Sequence, residues 1–372
     1  MANKNTDTTS CRLNRVGGQA VLEGVMMKAG NRTVTTCRKD DGTLVVNDGN
    51  FESIRKKVKI LGLPIIRGVV NFIEMMALSV KTLNVSADAL GIEEEEGKAE
   101  KWMRKHLGVG LTDVIMVISV VLGLALSVFL FMFLPTVVAD GINWLYMTLF
   151  SAPSIHPTVI AVIEGVMKVA IFLTYLALVA LVPDIKRTFM YHGAEHKSIA
   201  CFEAGDELTP ENAMKHRRFH PRCGTSFMFL MIALGIAVGM LVRNFWPGLE
   251  SWQYALIRLA ILPLVMGIGY EILMVAGKHD NVITRTISAP GMWVQRITTK
   301  EPTLDMLEVA ITSIKCALRD DFPEFKEFFL QREWESRKEE IIENVESTEA
   351  DEASETPDEA TSPAEAETEN DA

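Results

Sequence analysis

The sequence predicts a mainly α-helical membrane protein with four transmembrane helices, a small strand-rich N-terminal piece and an amphipathic helix. Hydrophobic residues make up 48% of the 372 residues although 23% are charged, so apolar blocks alternate with polar ones. Four apolar blocks have the length of roughly 17 to 25 residues that crosses a bilayer core of about 30 Å. Lysine and arginine cluster in alternate connections, which predicts that both termini are cytoplasmic.

The N-terminal part of the chain is predicted to lie outside the membrane. Residues 1–15 are polar without an apolar core, which predicts a disordered terminus and no secretory signal peptide. Residues 16–58 are predicted to form a strand-rich cytosolic piece, because two β-prone runs flank a turn sequence at 40–42. The paired Gly17 and Gly18 favour a tight turn over a close approach to another part of the chain.

Residues 60–87 are predicted to form an amphipathic helix. Polar residues such as Arg67 and Glu74 recur at helical spacing, opposite an apolar face, so the helix would lie on a membrane or pack on a partner. Residues 88–111 are charged and are predicted to be a solvated linker.

Four spans account for the long apolar blocks. They are predicted at Thr112–Leu134, Pro157–Val182, Ser226–Val242 and Tyr254–Ala276, within a domain over 112–276. The connection 135–156 has no Lys or Arg, whereas the connection 183–225 has seven, which predicts a cytosolic loop there.

The region after the spans divides into two parts. Residues 277–335 are predicted to contain an interfacial segment, with a turn near Pro290, and a C-terminal amphipathic helix that Thr303 caps. Residues 336–372 are acidic and poor in apolar residues, which predicts a disordered tail.

Charge and cysteine content argue against two other classes of protein. The formal charge is −11, but fourteen acidic residues and no basic ones lie in 339–372, so the rest of the chain carries about +3. The basic residues form no face interleaved with aromatic residues, so we expect no nucleic-acid binding. Five scattered cysteines imply no disulfide framework and favour a reducing compartment.

The strongest chemical signal is the spacing of His192, Glu195 and His196 in the 183–225 connection. Histidines four residues apart on a helix share a face, where they can bind one metal ion. Glu195 lies close to that face and can polarise a water, as in the inverted zinc-hydrolase motif H-x-x-E-H. The predicted cofactor is a divalent metal, with zinc first among the metals that such donors suit.

A catalytic zinc site needs a third protein ligand and an open position. The candidates are His220, Cys223 and Glu271, all predicted at the cytoplasmic membrane face, and Arg222 is a candidate for stabilising an anionic intermediate. Glu271 is favoured because a carboxylate near the end of a membrane helix is costly without a partner. A closed structural site of His192, His196, His220 and Cys223 remains the alternative, since four such ligands saturate zinc.

Charged residues inside the second and fourth spans form another set of candidates. Glu164 and Lys168 are four residues apart and are predicted to form an ion pair facing the bundle interior. Arg258 is predicted to snorkel to the interface. Glu23 occupies the position of Glu164 in a similar short run near the N-terminus, a similarity that we attribute to chance, and it stays a candidate site residue.

Several long motifs resemble the bacterial YqhQ-like family, catalogued as domain of unknown function 1385. The resemblance covers roughly residues 14–320 and rests on the runs at 17–27, 183–185, 191–197, 220–227, 269–271 and 290–302. It implies a multi-pass bacterial membrane protein labelled a predicted metal-dependent enzyme. The acidic tail lies outside the family pattern.

The residues and the resemblance together favour a metal-dependent hydrolase in the bacterial inner membrane. A peptidase is one candidate for the kind of hydrolase. His192 and His196 would bind the metal and Glu195 would act as general base. The alternative is a non-enzymatic membrane scaffold or assembly factor with a structural zinc; a transporter, based only on Glu164 and Lys168, is a further alternative. The expected partners are the lipid bilayer and a membrane protein that is partner or substrate.

Overall fold

The computed structural model of the chain describes residues 12, 15–91, 111–220, 223–276 and 281–330. It combines a four-stranded antiparallel sheet with ten helices over Ile66–Ala317, counted within the described residues. Four predicted features lie outside that part of the chain, wholly or mostly: the N-terminal 15 residues, the linker over 88–111, Arg222 and the tail over 336–372.

The N-terminal sheet is a meander of successive hairpins in the order β1-β2-β3-β4. Its strands are β1 (Val16–Val21), β2 (Gly24–Ala29), β3 (Arg32–Arg38) and β4 (Leu44–Asn50). The predicted hairpin is β3–β4, whose turn contains Gly42 at a φ of +89°, a conformation that glycine adopts without strain. The prediction of a small strand-rich piece is therefore confirmed.

The paired glycines lie in strand β1 and do not form the tight turn that we predicted. A Cβ atom on Gly18 would lie 2.6 Å from the carbonyl oxygen of Met26 and 3.2 Å from Cγ of Glu195. Close approach between the strand and a helix is therefore the reason for glycine at this position.

Helix α1 (Ile66–Ala89) overlaps the predicted amphipathic helix over 60–87 but begins later, because Lys59–Gly62 forms a separate 3-10 turn. It crosses a later helix closely, because a Cβ on Gly68 would lie 2.7 Å from Cβ of Tyr270. Away from this contact, the helix leaves large apolar side chains exposed, among them Ile73 and Met76.

Within the residues that the structure describes, four helices are long and apolar enough to cross a membrane: Ile118–Phe150, Pro157–Val179, Gly224–Phe245 and Ser251–Val275. The first contains the part of α2 (Leu111–Val128) that begins at Ile118, a π-helical turn (Phe129–Phe133) and α3 (Leu134–Phe150). The others are α4 (Pro157–Val179), α7 (Gly224–Phe245) and α8 (Ser251–Ala276). The predicted loop over 135–156 is mostly helical, because the helix continues past Pro135, and the π-helical turn directly before this proline changes the hydrogen-bond pattern there.

A buried ion-pair network joins all four of these helices. Both carboxylate oxygens of Glu164 accept hydrogen bonds, from Arg243 at 2.8 Å and from Arg258 at 2.6 Å. Arg243 also donates to Asp140 at 2.9 Å. The predicted Glu164–Lys168 pair and the snorkelling of Arg258 are therefore wrong: the guanidinium groups satisfy Glu164 better, and Arg258 is 6% exposed.

The predicted cytosolic loop over 183–225 is largely helical, with α5 (Pro183–Ala204) and α6 (Pro210–Lys215). The segment predicted as a turn near Pro290 is also helical, since α9 (Val282–Thr298) contains that proline. It packs against α4 and α7 through Val294, which clusters with Phe172 and Leu176.

Helix α10 (Leu304–Ala317) begins at Thr303, whose hydroxyl accepts from the N–H of Met306 as predicted. It packs on both the sheet and α5, and Ser313 donates to the carbonyls of Val25 and Val34. The sheet and α5 are thereby fixed to one helix.

Residues from Leu318 onward form a separate unit, of which the structure describes 318–330. It contains a helix over 323–330, and the guanidinium of Arg319 lies 3.8 Å from the ring centroid of Phe329.

Candidate metal centre

Helix α5 brings the two histidines of the H-x-x-E-H motif together. Pro183 favours the first turn of the helix, and Gly205, at a φ of +83°, ends it in the left-handed conformation. Because the helix is uninterrupted between them, the rings of His192 and His196 lie one turn apart, with centroids separated by 4.4 Å.

Backbone carbonyls orient both imidazole rings. Nδ1 of His192 donates to the carbonyl of Thr298 at 2.8 Å, and Nδ1 of His196 donates to the carbonyl of Arg218 at 2.6 Å. Since a carbonyl only accepts, each Nδ1 carries the proton, which leaves the lone pair of each Nε2 for another partner. Metal-binding histidines show this arrangement, in which the second nitrogen is fixed by a carbonyl or a carboxylate.

Cys223 completes a group of three metal-ligand side chains. Its Sγ lies 3.3 Å from Nε2 of His192, and the ligand atoms of His192, His196 and Cys223 all lie within 4.8 Å of one another. Cys223 is the N-cap residue of α7, so the start of that helix brings the sulfur to the imidazoles. Two imidazole nitrogens and one sulfur are donors that suit zinc.

Burial keeps His196 in the form that binds metal. The side chain is 2% exposed, and this burial lowers its pKa, although Cys223 and the carbonyl of Arg218 partly offset the shift. A neutral imidazole can offer a lone pair to a metal, whereas an imidazolium cannot.

Glu195 lies on the same helix, buried beneath strand β1. It is 5% exposed, and its Oε2 has no hydrogen-bond partner among the residues that the structure describes. Burial raises the pKa of Glu195, while the charges of His192 and His220 and a backbone hydrogen bond from Gly18 lower it in part. A buried carboxyl group with a free oxygen is costly for folding alone and is typical of functional sites.

His220 lies beside the group but outside it. Its ring centroid is 5.7 Å from that of His196, while its Nε2 lies 3.5 Å from a carboxylate oxygen of Glu203. The amide of Gln295 fixes its backbone, accepting from the N–H at 2.8 Å and donating to the carbonyl at 2.7 Å.

The structure does not bring Glu271 into the group. Its carboxylate pairs with the guanidinium of Arg67 through two hydrogen bonds of 2.7 and 2.5 Å, and it also accepts from the N–H of Ile65. The partner that a membrane carboxylate needs is therefore an arginine of α1, and Glu271 belongs to the contact between α1 and α8.

The remaining candidates lie elsewhere in the fold. Glu164 belongs to the buried network in the half of α4 remote from α5, and Lys168 is one turn further along that helix. Glu23 lies in the β1–β2 turn, where its carboxylate pairs with Arg187 and accepts from the hydroxyl of Tyr191 at 3.1 Å. Arg222 lies outside the described residues.

Three features in or near the centre could not be found from the sequence. The carbonyls of Thr298 and Arg218 are backbone groups, so no residue type marks them. Gln295 has no motif of its own. A second group, formed by Cys201, Asp206 and His216, also has ligand atoms within 4.8 Å of one another.

Comparisons with known proteins give two matches. Residues 63–320 match the family described as "Protein of unknown function (DUF1385)". The chain is 36% identical over 309 residues to the "Uncharacterized protein YqhQ" of Bacillus subtilis (strain 168), an alignment that covers 82% of this chain and 92% of that protein. No solved structure matches. Neither description names an activity, so neither supports the enzyme label that the resemblance implied.

Proposed function

Because the chain belongs to the DUF1385 family, whose description names no reaction, we propose from the site itself that it is a zinc-dependent hydrolase of the membrane. The observation that carries this proposal is the fixed orientation of His192 and His196, whose free nitrogens converge with Cys223.

The hydrogen bonds support metal binding more strongly than the spacing does. The two ring centroids lie only 4.4 Å apart, and each ring is held by its own backbone carbonyl rather than by the other imidazole. A divalent ion would stabilise this arrangement, because His192, His196 and Cys223 could hold it through both lone pairs and the sulfur. The inferred ligands are His192, His196 and Cys223.

Zinc held by these three protein ligands would keep one position for a water or a substrate, as catalytic zinc does. A bound zinc ion supplies Lewis acidity and positive charge at this position. Glu195 would accept a proton at Oε2 from the attacking water and return it to the leaving group, since a raised pKa favours both transfers near neutral pH. Arg222 stays a candidate for stabilising the anionic intermediate.

The distribution of basic residues supports a location and an orientation. Four apolar helices are compatible with a multi-pass membrane protein. Seven Lys and Arg residues in 183–225 and none in 135–156 favour the bacterial inner membrane with the metal centre and both termini in the cytoplasm. Substrates would then approach from the cytoplasm or from the lipid layer, including membrane proteins.

The test of catalysis is Glu195→Gln in purified protein, with Glu211→Gln as the matched control at an exposed position. Hydrolysis of a quenched-fluorescent peptide mixture should fall about 100-fold or more in Glu195→Gln, the usual contribution of general base catalysis, while bound zinc stays constant. Equal turnover in Glu195→Gln and wild type would refute the assigned role.

A scaffold with a structural zinc is the second candidate, because the ring of His220 is close enough to His196 to supply a fourth ligand after a small movement. In that case His220→Ala would lose zinc as completely as His192→Ala. For the hydrolase, His220→Ala keeps its zinc.

A further inference from the structure

A cationic pocket lies next to the metal centre. It has a volume of about 470 Å³ and is lined by Lys197, Lys215, Arg217 and Arg218, with Glu301 as the one carboxylate in its lining. With His216 neutral, the lining carries a formal charge of +3. The pocket shares a backbone segment with the centre, since the carbonyl of Arg218 holds His196.

Lys197 is a fixed positive charge at this pocket. It is 4% exposed, and its ammonium group donates to the carbonyls of Met214 at 2.8 Å and His216 at 3.0 Å. It also lies 3.2 Å from the carboxylate of Glu301, which Arg218 approaches to 3.4 Å. The carboxylate of Glu301 is therefore shared between Lys197 and Arg218, and the pocket keeps a net positive charge.

Arg217 and Arg218 have N–H donors that no described residue accepts. The side chain of Arg217 is exposed and makes no hydrogen bond or ion pair with any residue that the structure describes. Nε of Arg218 is buried and has no partner within the same described residues. Guanidinium groups bind phosphate through paired N–H groups, which suits two arginines at the rim of one pocket.

We propose that this pocket binds a phosphate group, with Arg217, Arg218 and Lys215 around the anion and Lys197 beneath it. The group would belong to a membrane lipid headgroup or to a soluble phosphate compound. The pocket lies in the segment that leads into α7, at the end of the bundle that carries the metal centre. The proposal goes beyond the proposed hydrolysis and does not depend on a bound metal.

Two binding measurements separate the two sources. The first is calorimetric titration of the full-length protein in neutral detergent with inorganic phosphate, at constant ionic strength and with chloride as the reference anion. The second is native mass spectrometry with dioleoyl phosphatidic acid against dioleoylglycerol, two lipids that differ by the phosphate group. Binding of inorganic phosphate indicates a soluble compound; selective retention of phosphatidic acid alone indicates a lipid headgroup. Binding of neither overturns the proposal.

The double variant Lys215→Gln, Arg217→Gln tests the location, because both side chains are exposed and their removal should leave the fold intact. The control, Lys39→Gln, Lys326→Gln, removes the same charge from exposed positions elsewhere. We expect affinity to fall about tenfold or more in the first variant and to stay unchanged in the control. An equal fall in both would overturn the proposal, and unchanged zinc content in both separates this result from a failure of the metal centre.

Discussion

Replacing Glu164 by glutamine tests whether the buried network stabilises the membrane bundle. Glu164 is 2% exposed, and its partners Arg243 and Arg258 have side chains that are 5% exposed. After the change, Arg243 keeps the carboxylate of Asp140 at 2.9 Å, whereas Arg258 keeps the hydroxyl of Thr136 at 3.0 Å and the ring of Tyr254, and no carboxylate among the described residues. Removing one partner of a buried ion pair costs about 3–5 kcal/mol, because a buried charge is left unpaired. Most of that cost should come from Arg258.

The assay is unfolding of the purified protein by sodium dodecyl sulfate in mixed micelles, followed by tryptophan fluorescence. Glu308→Gln is the matched control, because its 2.7 Å pair with Arg38 is 44% exposed on the carboxylate side and should contribute about 1 kcal/mol or less. Adding Arg258→Met to Glu164→Gln should recover part of the loss, since no unpaired guanidinium remains. Equal destabilisation by Glu164→Gln and Glu308→Gln would refute this account of the bundle.

Two further predictions concern the region around the centre. Gly193→Ala should destabilise the protein by about 1–3 kcal/mol or more in the same assay, because its Cβ would lie 2.0 Å from the carbonyl oxygen of Lys300; Gly235→Ala, with open space, should not, and equal effects would contradict the packing. Burial raises the pKa of Cys201 to about 11, so about 0.1% is thiolate at pH 8. Mass spectrometry after iodoacetamide should therefore find Cys223 modified before Cys201 in metal-free protein, with labelling of Cys201 rising as pH approaches 11. Equal labelling of these two cysteines at pH 8 would contradict this.

The bundle could be predicted from the sequence because unbroken apolar runs have a length that only a membrane or a large core explains. The first span was predicted too short, since helix α3 continues through Asp140, a residue typical of a loop. Arg243 satisfies that aspartate, and no local pattern links two residues 103 positions apart.

The centre was predictable only in part, for a similar reason. Spacing of four residues on one helix was enough to bring His192 and His196 together, and Cys223 was among the candidates for a third donor. Glu271 was favoured on the cost of a lone carboxylate in a membrane, but the sequence gives no sign that Arg67 of another helix pairs with it. Backbone carbonyls that orient imidazoles depend on the tertiary fold alone.

The most direct test of the central claim is the zinc content of the full-length protein after purification in detergent, measured by inductively coupled plasma mass spectrometry. We expect about one zinc per chain in the wild type and a clearly lower zinc content when His192 or Cys223 is replaced by alanine. The content should fall because loss of a ligand lowers zinc affinity by at least about tenfold. His156→Ala, at an exposed position before α4, should retain zinc as the wild type does. A wild-type protein without zinc, or alanine variants that hold as much as the wild type, would contradict the account.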